Sequence, residues 1–135
     1  MKRREEREIA FAIGFERSVT GESVAAVIDG AEDVRECVIP TFSASLASGV
    51  EQNETEIDEK ISRNIRGWTI DRLSKVTLSI LRLAIYEMCY ETEIPVSVSI
   101  NEAVELAKLY GDTEDAPFVN GVLSTVAKEL HTDHD

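Results

Sequence analysis

The sequence predicts an all-α protein of about seven helices in two small packed helical bundles. Strand signals are nearly absent, and apolar residues recur at helical spacing with short breaks between runs. The most apolar segment is apolar almost all round its wheel, which suits a helix at the centre of a bundle. The 135 residues are expected to form a single domain, 1–135. A chain of this length buries roughly two thirds of its unfolded surface and needs no disulfide or metal to fold.

A first helix is expected over residues 4–17, and a short one over 23–28 that stops at Gly30. Residues 33–50 are interrupted by Pro40, which kinks the helix or opens a new one. Phe42, Leu46 and Val50 form the apolar stripe of the second part. Asn53 and Glu56 stand at capping-box spacing ahead of Ile57, Ile61 and Ile65, with Gly67 as the stop. The central helix is expected over 69–90, where Leu73, Val76, Ile80, Leu83 and Met88 are among the residues covering most of the circumference. Lys75, Ser79, Arg82 and Tyr86 leave only a narrow polar stripe. Glu87 is the one carboxylate inside the apolar arc, and a bond to a helix N-terminus or an arginine is expected for it. Ser99 and Glu102 form a capping box for a helix that closes at Gly111. The last helix starts near Asp115 as N-cap, with Pro117 in its first turn.

The net charge is −12, from 26 acidic and 14 basic side chains. Alone it argues against a generic nucleic-acid binder, whose footprint is a basic patch. The charge is uneven, however. Residues 1–17 hold five basic side chains (Lys2, Arg3, Arg4, Arg7, Arg17) against four acidic ones, leaving +1 there and −13 elsewhere. A mildly basic tip on an acidic body suits contact with nucleic acid in one place and with a basic protein in another.

No run of about 18 apolar residues is present to cross a membrane, and the Glu residues in "MKRREEREIA" argue against a signal peptide. Cys37 and Cys89 have no neighbour at metal-ligand spacing and read as buried thiols of a reducing cytoplasm. His131 and His134 fall in a charged, solvated tail. No catalytic constellation, metal site or cofactor loop is found, so a binding protein without cofactors and not an enzyme is expected.

Two stretches stand out. In "DAPFVNGVL", residues 115–123, the Asn-Gly pair resembles a hairpin turn, yet Val119, Val122, Leu123, Val126 and Leu130 fall on one helical face. Asn120 then flanks that face, Gly121 lies opposite it, and Phe118 flanks it on the other side, free to stack on a base or to pack under a loop. In the first helix Arg4, Phe11 and Phe15 fall at i, i+7 and i+11, with Arg7 four residues before Phe11. Arginines running into aromatics are a means of holding single-stranded RNA; the alternative is a core helix with a solvated charged end.

These residues resemble the NusB family of bacterial transcription antitermination factors. The likeness rests on "RREEREIAF", "ILRLAIYEM", "INEAVELAKLYG" and "FVNGVL", in the family's order and spacing. It implies an all-helical fold of two small bundles and binding of boxA-type single-stranded RNA jointly with NusE, a ribosomal small-subunit protein, in the transcription elongation complex during ribosomal RNA transcription. Carried over, the RNA contacts are Lys2, Arg3, Arg4, Arg7, Phe15, Glu114, Phe118 and Asn120, and the NusE contacts are Asp71 and Arg72. The chain departs from the family's pattern at Ile13-Gly14-Phe15 and at Thr77-Leu78, the second of these on the expected NusE surface. The remaining readings are a helical protein adaptor without RNA, or a stand-alone relative of the RNA-binding domain of ribosomal RNA cytosine methyltransferases.

Overall fold

The computed structural model describes residues 2–35 and 38–134. Among them are seven α-helices and no strand: α1 (Arg3–Thr20), α2 (Val24–Arg35), α3 (Thr41–Gln52), α4 (Glu54–Asn64), α5 (Lys75–Tyr90), α6 (Val96–Tyr110) and α7 (Asp115–His134). A 3-10 turn, Ile70–Arg72, precedes α5. The helices α1–α3 pack as one bundle and α4–α7 as another, and α5 lies against α1, α3, α4, α6 and α7. The expected central helix is therefore α5. Its Ile80, Leu81 and Ile85 are at most 1% exposed and join Leu46, Ile61 and Leu123 in one core that runs through both bundles. A small second core of Ile13, Val24, Val27 and Ala47 holds α2 to α1 and α3. Among the described residues no helix is long and apolar enough to cross a membrane.

Several expected boundaries move. Gly30 does not stop α2, which runs on to Arg35; a glycine inside a helix costs about 1 kcal/mol against alanine, a penalty that packing can override. Pro40 does open α3, its carbonyl accepting from the N–H of Ala44 at 3.0 Å. Asn53 does not cap α4 with its side chain: its amide donates back to the Gly49 carbonyl at 2.8 Å. Gly49 itself lies against the ring of Tyr86, where a Cβ would collide, so the glycine sets how closely α3 meets α5.

The central helix starts at Lys75, later than expected, because the Ser74 hydroxyl accepts from the N–H of Thr77 at 3.1 Å and caps it. Ser99 is no cap either. Pro95 starts α6 a turn earlier, and Ser99 is buried, donating to Glu87 at 3.2 Å. Gly111 closes α6 as expected, its N–H reaching the Ala107 carbonyl at 2.9 Å. His131 and His134 lie on α7 and not in a tail. Cys89 is half-buried, with its thiol pKa pushed up by burial, and Cys37 lies outside the described residues.

Candidate nucleic-acid interface

The N-terminal end of α1 carries the basic tip. Lys2 precedes the helix in extended conformation and is exposed. Arg3 donates to Glu6 at 2.9 Å, and its guanidinium sits 3.9 Å from the centre of the Phe42 ring, a cation–π contact. Arg4 grips Glu102 of α6 with two hydrogen bonds, Nε at 3.0 Å and Nη2 at 3.1 Å. That hydrogen bond raises the Arg4 pKa further, so its charge is fixed at any physiological pH.

Arg7, expected at the RNA, has another role here. It is 6% exposed, and its Nε lies 3.0 Å from both oxygens of Glu87, itself 2% exposed. With Ser99 on the same carboxylate, this buried node joins α1, α5 and α6. The expectation that Glu87 would be bonded to an arginine holds. The reason Arg7 is inside is geometric: the helical turn that carries it also carries Ala10 and Phe11 into the core. A charge so placed needs its partner, since an unpaired buried guanidinium is strongly unfavourable.

Phe15 is half-buried and stacks on Phe11 with ring centres 6.2 Å apart; Phe11 in turn meets Tyr110 at 5.1 Å. Tyr110 donates to Glu8, which pushes its pKa up and clips α6 to α1. Phe15, Phe11 and Tyr110, with Glu5, Glu8 and Val76, line an open trough of about 570 Å³. The exposed arginines thus stand at the start of α1, and the trough, with no arginine in its described lining, runs along the helix from Glu5 to Phe15.

The start of α7 forms a second concavity of about 290 Å³. Asp115 is the first helical residue, and its carboxylate accepts from the Asp112 N–H at 2.7 Å, folding the α6–α7 turn onto the helix. Val119 and Leu123 are fully buried, and Phe118 is half-buried on their flank. Asn120 and Gly121 are exposed, and a Cβ on Gly121 would meet nothing within 4 Å. The Asn-Gly pair therefore marks an exposed helix face and not a turn. Phe118, Glu114, Asp112 and Asp115 line the concavity together with Arg72, Leu73, Ser74, Thr77 and Trp68. Asp71 is exposed beside Arg72 on the 3-10 turn.

Of the expected residues, Phe15 lines one hollow and Arg72, Glu114 and Phe118 line the other, while Lys2, Arg3, Arg4, Arg7, Asp71 and Asn120 line neither. Both hollows reach the start of α5, Val76 lining one and Ser74 and Thr77 the other. Glu114 and Phe118, expected at the RNA, share their hollow with Arg72, expected at the protein partner. Sequence reasoning misses Trp68, 55% exposed at that second hollow. A lone tryptophan after Gly67 in a polar loop is the signal that could have found it. It also misses Glu102 as the partner of Arg4, a pairing across 98 positions that only the fold creates.

The sequence model of the NusB family matches residues 4–128. The transcription antitermination protein NusB of Clostridium botulinum (strain Kyoto / Type A2) is 42% identical, over 91% of this chain and 97% of its own length. The solved structure of T. maritima NusB superposes with a TM-score of 0.83 at 34% identity, covering 96% of this chain and 92% of that one. A crystal structure of antitermination factors NusB and NusE in complex with dsRNA superposes with a TM-score of 0.83 at 25% identity, covering 96% of this chain and 99% of that one.

Proposed function

This chain belongs to the NusB family, and from that premise we propose that it is a transcription antitermination factor that binds boxA-type RNA jointly with a NusE-type ribosomal small-subunit protein. It acts by binding alone, without catalysis, as one domain in the cytoplasm, on the elongation complex transcribing ribosomal RNA. The observation that carries the reading is the run of exposed basic side chains at the start of α1 on an otherwise acidic chain. Lys2, Arg3 and Arg4 stand exposed there; an aromatic trough lies further along α1, and a second aromatic hollow, rimmed by carboxylates, lies before α7. Phosphates are met by Lys2, Arg3 and Arg4, with Arg4 exchanging Glu102 for the backbone. Bases stack on Phe15 and on the part of the Phe118 ring exposed outside its hollow, and Asn120 offers an amide to a base edge or phosphate. Asp71 and Arg72 meet the protein partner. Arg7 supports the surface from below and holds the arginine-bearing end of α1 in place.

The acidic body makes RNA binding by the isolated chain weak, and a basic partner both neutralises that field and adds contacts of its own. Anisotropy titrations of labelled boxA-type RNA, single-stranded and duplex, with and without NusE test this. The expected result is a marked gain in RNA affinity when NusE is present. Unchanged affinity overturns joint binding, and NusE binding without any RNA binding makes the chain a protein adaptor.

A further inference from the structure

We propose that the hollow walled by Trp68 and Phe118 is a pocket for a cationic side chain, lysine or arginine, of the basic protein partner. This rests on the reading above that the chain binds RNA together with a basic protein.

Trp68 is the chain's only tryptophan and one of its few exposed large hydrophobic residues, at 55%. It follows Gly67, whose φ of 75° gives the chain the left-handed turn that leads into it. With Leu73 and Phe118 it makes an apolar wall around about 290 Å³, room for one side chain and not for a helix. Asp112, Glu114 and Asp115 stand on the rim against the single guanidinium of Arg72. Asp115 is already engaged with the Asp112 N–H, which leaves the carboxylates of Asp112 and Glu114, both on exposed residues, to face an occupant.

An indole face attracts a cation through its quadrupole, and nearby carboxylates complete the recognition of an ammonium or guanidinium. Tryptophan pockets of this kind concentrate binding energy at protein interfaces. A nucleobase would also stack on Trp68, but its flanking phosphates would approach the same carboxylates, and like charges repel. The net field at the rim is negative, so the occupant is a basic protein side chain. Glu114 then serves the partner and not the RNA.

Because Trp68 is alone, its fluorescence reports this pocket without interference. Titration with a tryptophan-free NusE is expected to shift and saturate Trp68 emission at one equivalent, with the shift weakened by salt. Trp68→Ala and Asp112→Asn are each expected to weaken NusE binding at least about fivefold, with Trp68→Phe recovering part of the loss. Both variants are expected to keep wild-type far-UV circular dichroism and RNA affinity within about twofold. NusE binding that leaves Trp68 emission and the variants' affinity unchanged overturns the pocket. So does an emission shift from RNA alone with a matching loss of RNA affinity in Trp68→Ala, which would make it a base pocket. Where the wild-type chain binds neither RNA nor NusE, it is the reading of function that fails. The pocket is then judged with hexa-arginine against hexa-glutamate: a shift from the first alone supports it, and no shift from either overturns it.

Discussion

The arginines of α1 and the carboxylates before α7 differ in one respect: the arginines change role with depth. Arg3, Arg4 and Arg7 each hold a carboxylate, and their side chains are 64%, 61% and 8% exposed. Identical chemistry therefore passes from exchangeable surface pairs to a buried strut within four residues. At the α7 end, Asp112 and Glu114 stay in solvent around an aromatic hollow. The lesson is that charge marks the candidate surface, but orientation towards the core decides which charges are available to a ligand. Exposed ion pairs contribute little to stability and exchange easily, whereas a buried one must stay paired.

The sharpest way to break this contrast is at Glu87. Glu87→Ala leaves the Arg7 guanidinium buried without its partner and is expected to cost about 3–5 kcal/mol, read as a large fall in melting temperature. Arg7→Met/Glu87→Leu, which removes both charges and keeps volume, is expected to recover most of that loss. An unchanged melting temperature for Glu87→Ala would mean that Arg7 reaches solvent, and would return it to the RNA surface.

Next in size is Phe118→Ala. Loss of a base-stacking ring is expected to lower RNA affinity by roughly 1–3 kcal/mol. Since Phe118 is half-buried on the flank of the core, a stability loss of about 1 kcal/mol should accompany it. Anisotropy titration and thermal melting of the same variant separate the two effects. A large stability loss with unchanged affinity in the folded fraction would make Phe118 a core residue only.

How much of this was legible in the sequence depends on how local the cause is. The face of α7 was legible because wheel geometry alone fixes it: Val119, Val122, Leu123 and Val126 are buried, and Asn120 and Gly121 are exposed. That Glu87 needs an arginine follows from a carboxylate in an apolar arc. That the arginine is Arg7 does not follow, because the pair spans 80 positions and depends on how α1 crosses α5. The same limit hid the pairing of Arg4 with Glu102. Ser99 satisfies a capping pattern by type and spacing, yet tertiary packing buries it on Glu87. Ser74 was the reverse case, a legible N-cap overlooked because the apolar pattern continued upstream through Leu73.

Arg4→Gln probes the exposed side of the contrast. It is expected to leave the melting temperature unchanged, because the pair with Glu102 is at the surface. The salt dependence of RNA binding should become shallower by about 0.7–0.9 in log–log slope, one phosphate contact. A drop in melting temperature with an unaltered slope would assign Arg4 to the fold.

The far end of α1 gives a pH test. Arg17 donates to Glu54 at 2.7 Å, and Arg82 of α5 lies 3.1 Å from the same carboxylate. Burial pushes the Glu54 pKa up, but the Arg17 hydrogen bond and the two positive charges outweigh it and hold it below 4.5. A depressed folded pKa contributes stability that is complete above the unfolded value and lost as pH falls through the folded one. Wild type should therefore lose melting temperature more steeply than Glu54→Gln below about pH 4.5. Parallel acid limbs in the two proteins would show that Glu54 gains nothing from its arginines.

The smallest effect expected is at Gly121. It lies inside α7 on the exposed side, its φ is not in the left-handed region, and a Cβ would meet nothing within 4 Å. Gly121→Ala should therefore raise stability by about 0.4–1 kcal/mol, by restricting the unfolded chain and improving helix propensity. If the glycine is there only by tolerance, RNA and NusE binding stay at wild-type values while the melting temperature rises. If another chain approaches the backbone at this point, the added methyl obstructs it, and binding weakens although the free protein is more stable. Weaker RNA binding with NusE binding intact would extend the RNA surface from Phe118 and Asn120 across this face of α7. The opposite pattern would carry the partner's footprint from the Trp68 pocket around the start of the same helix.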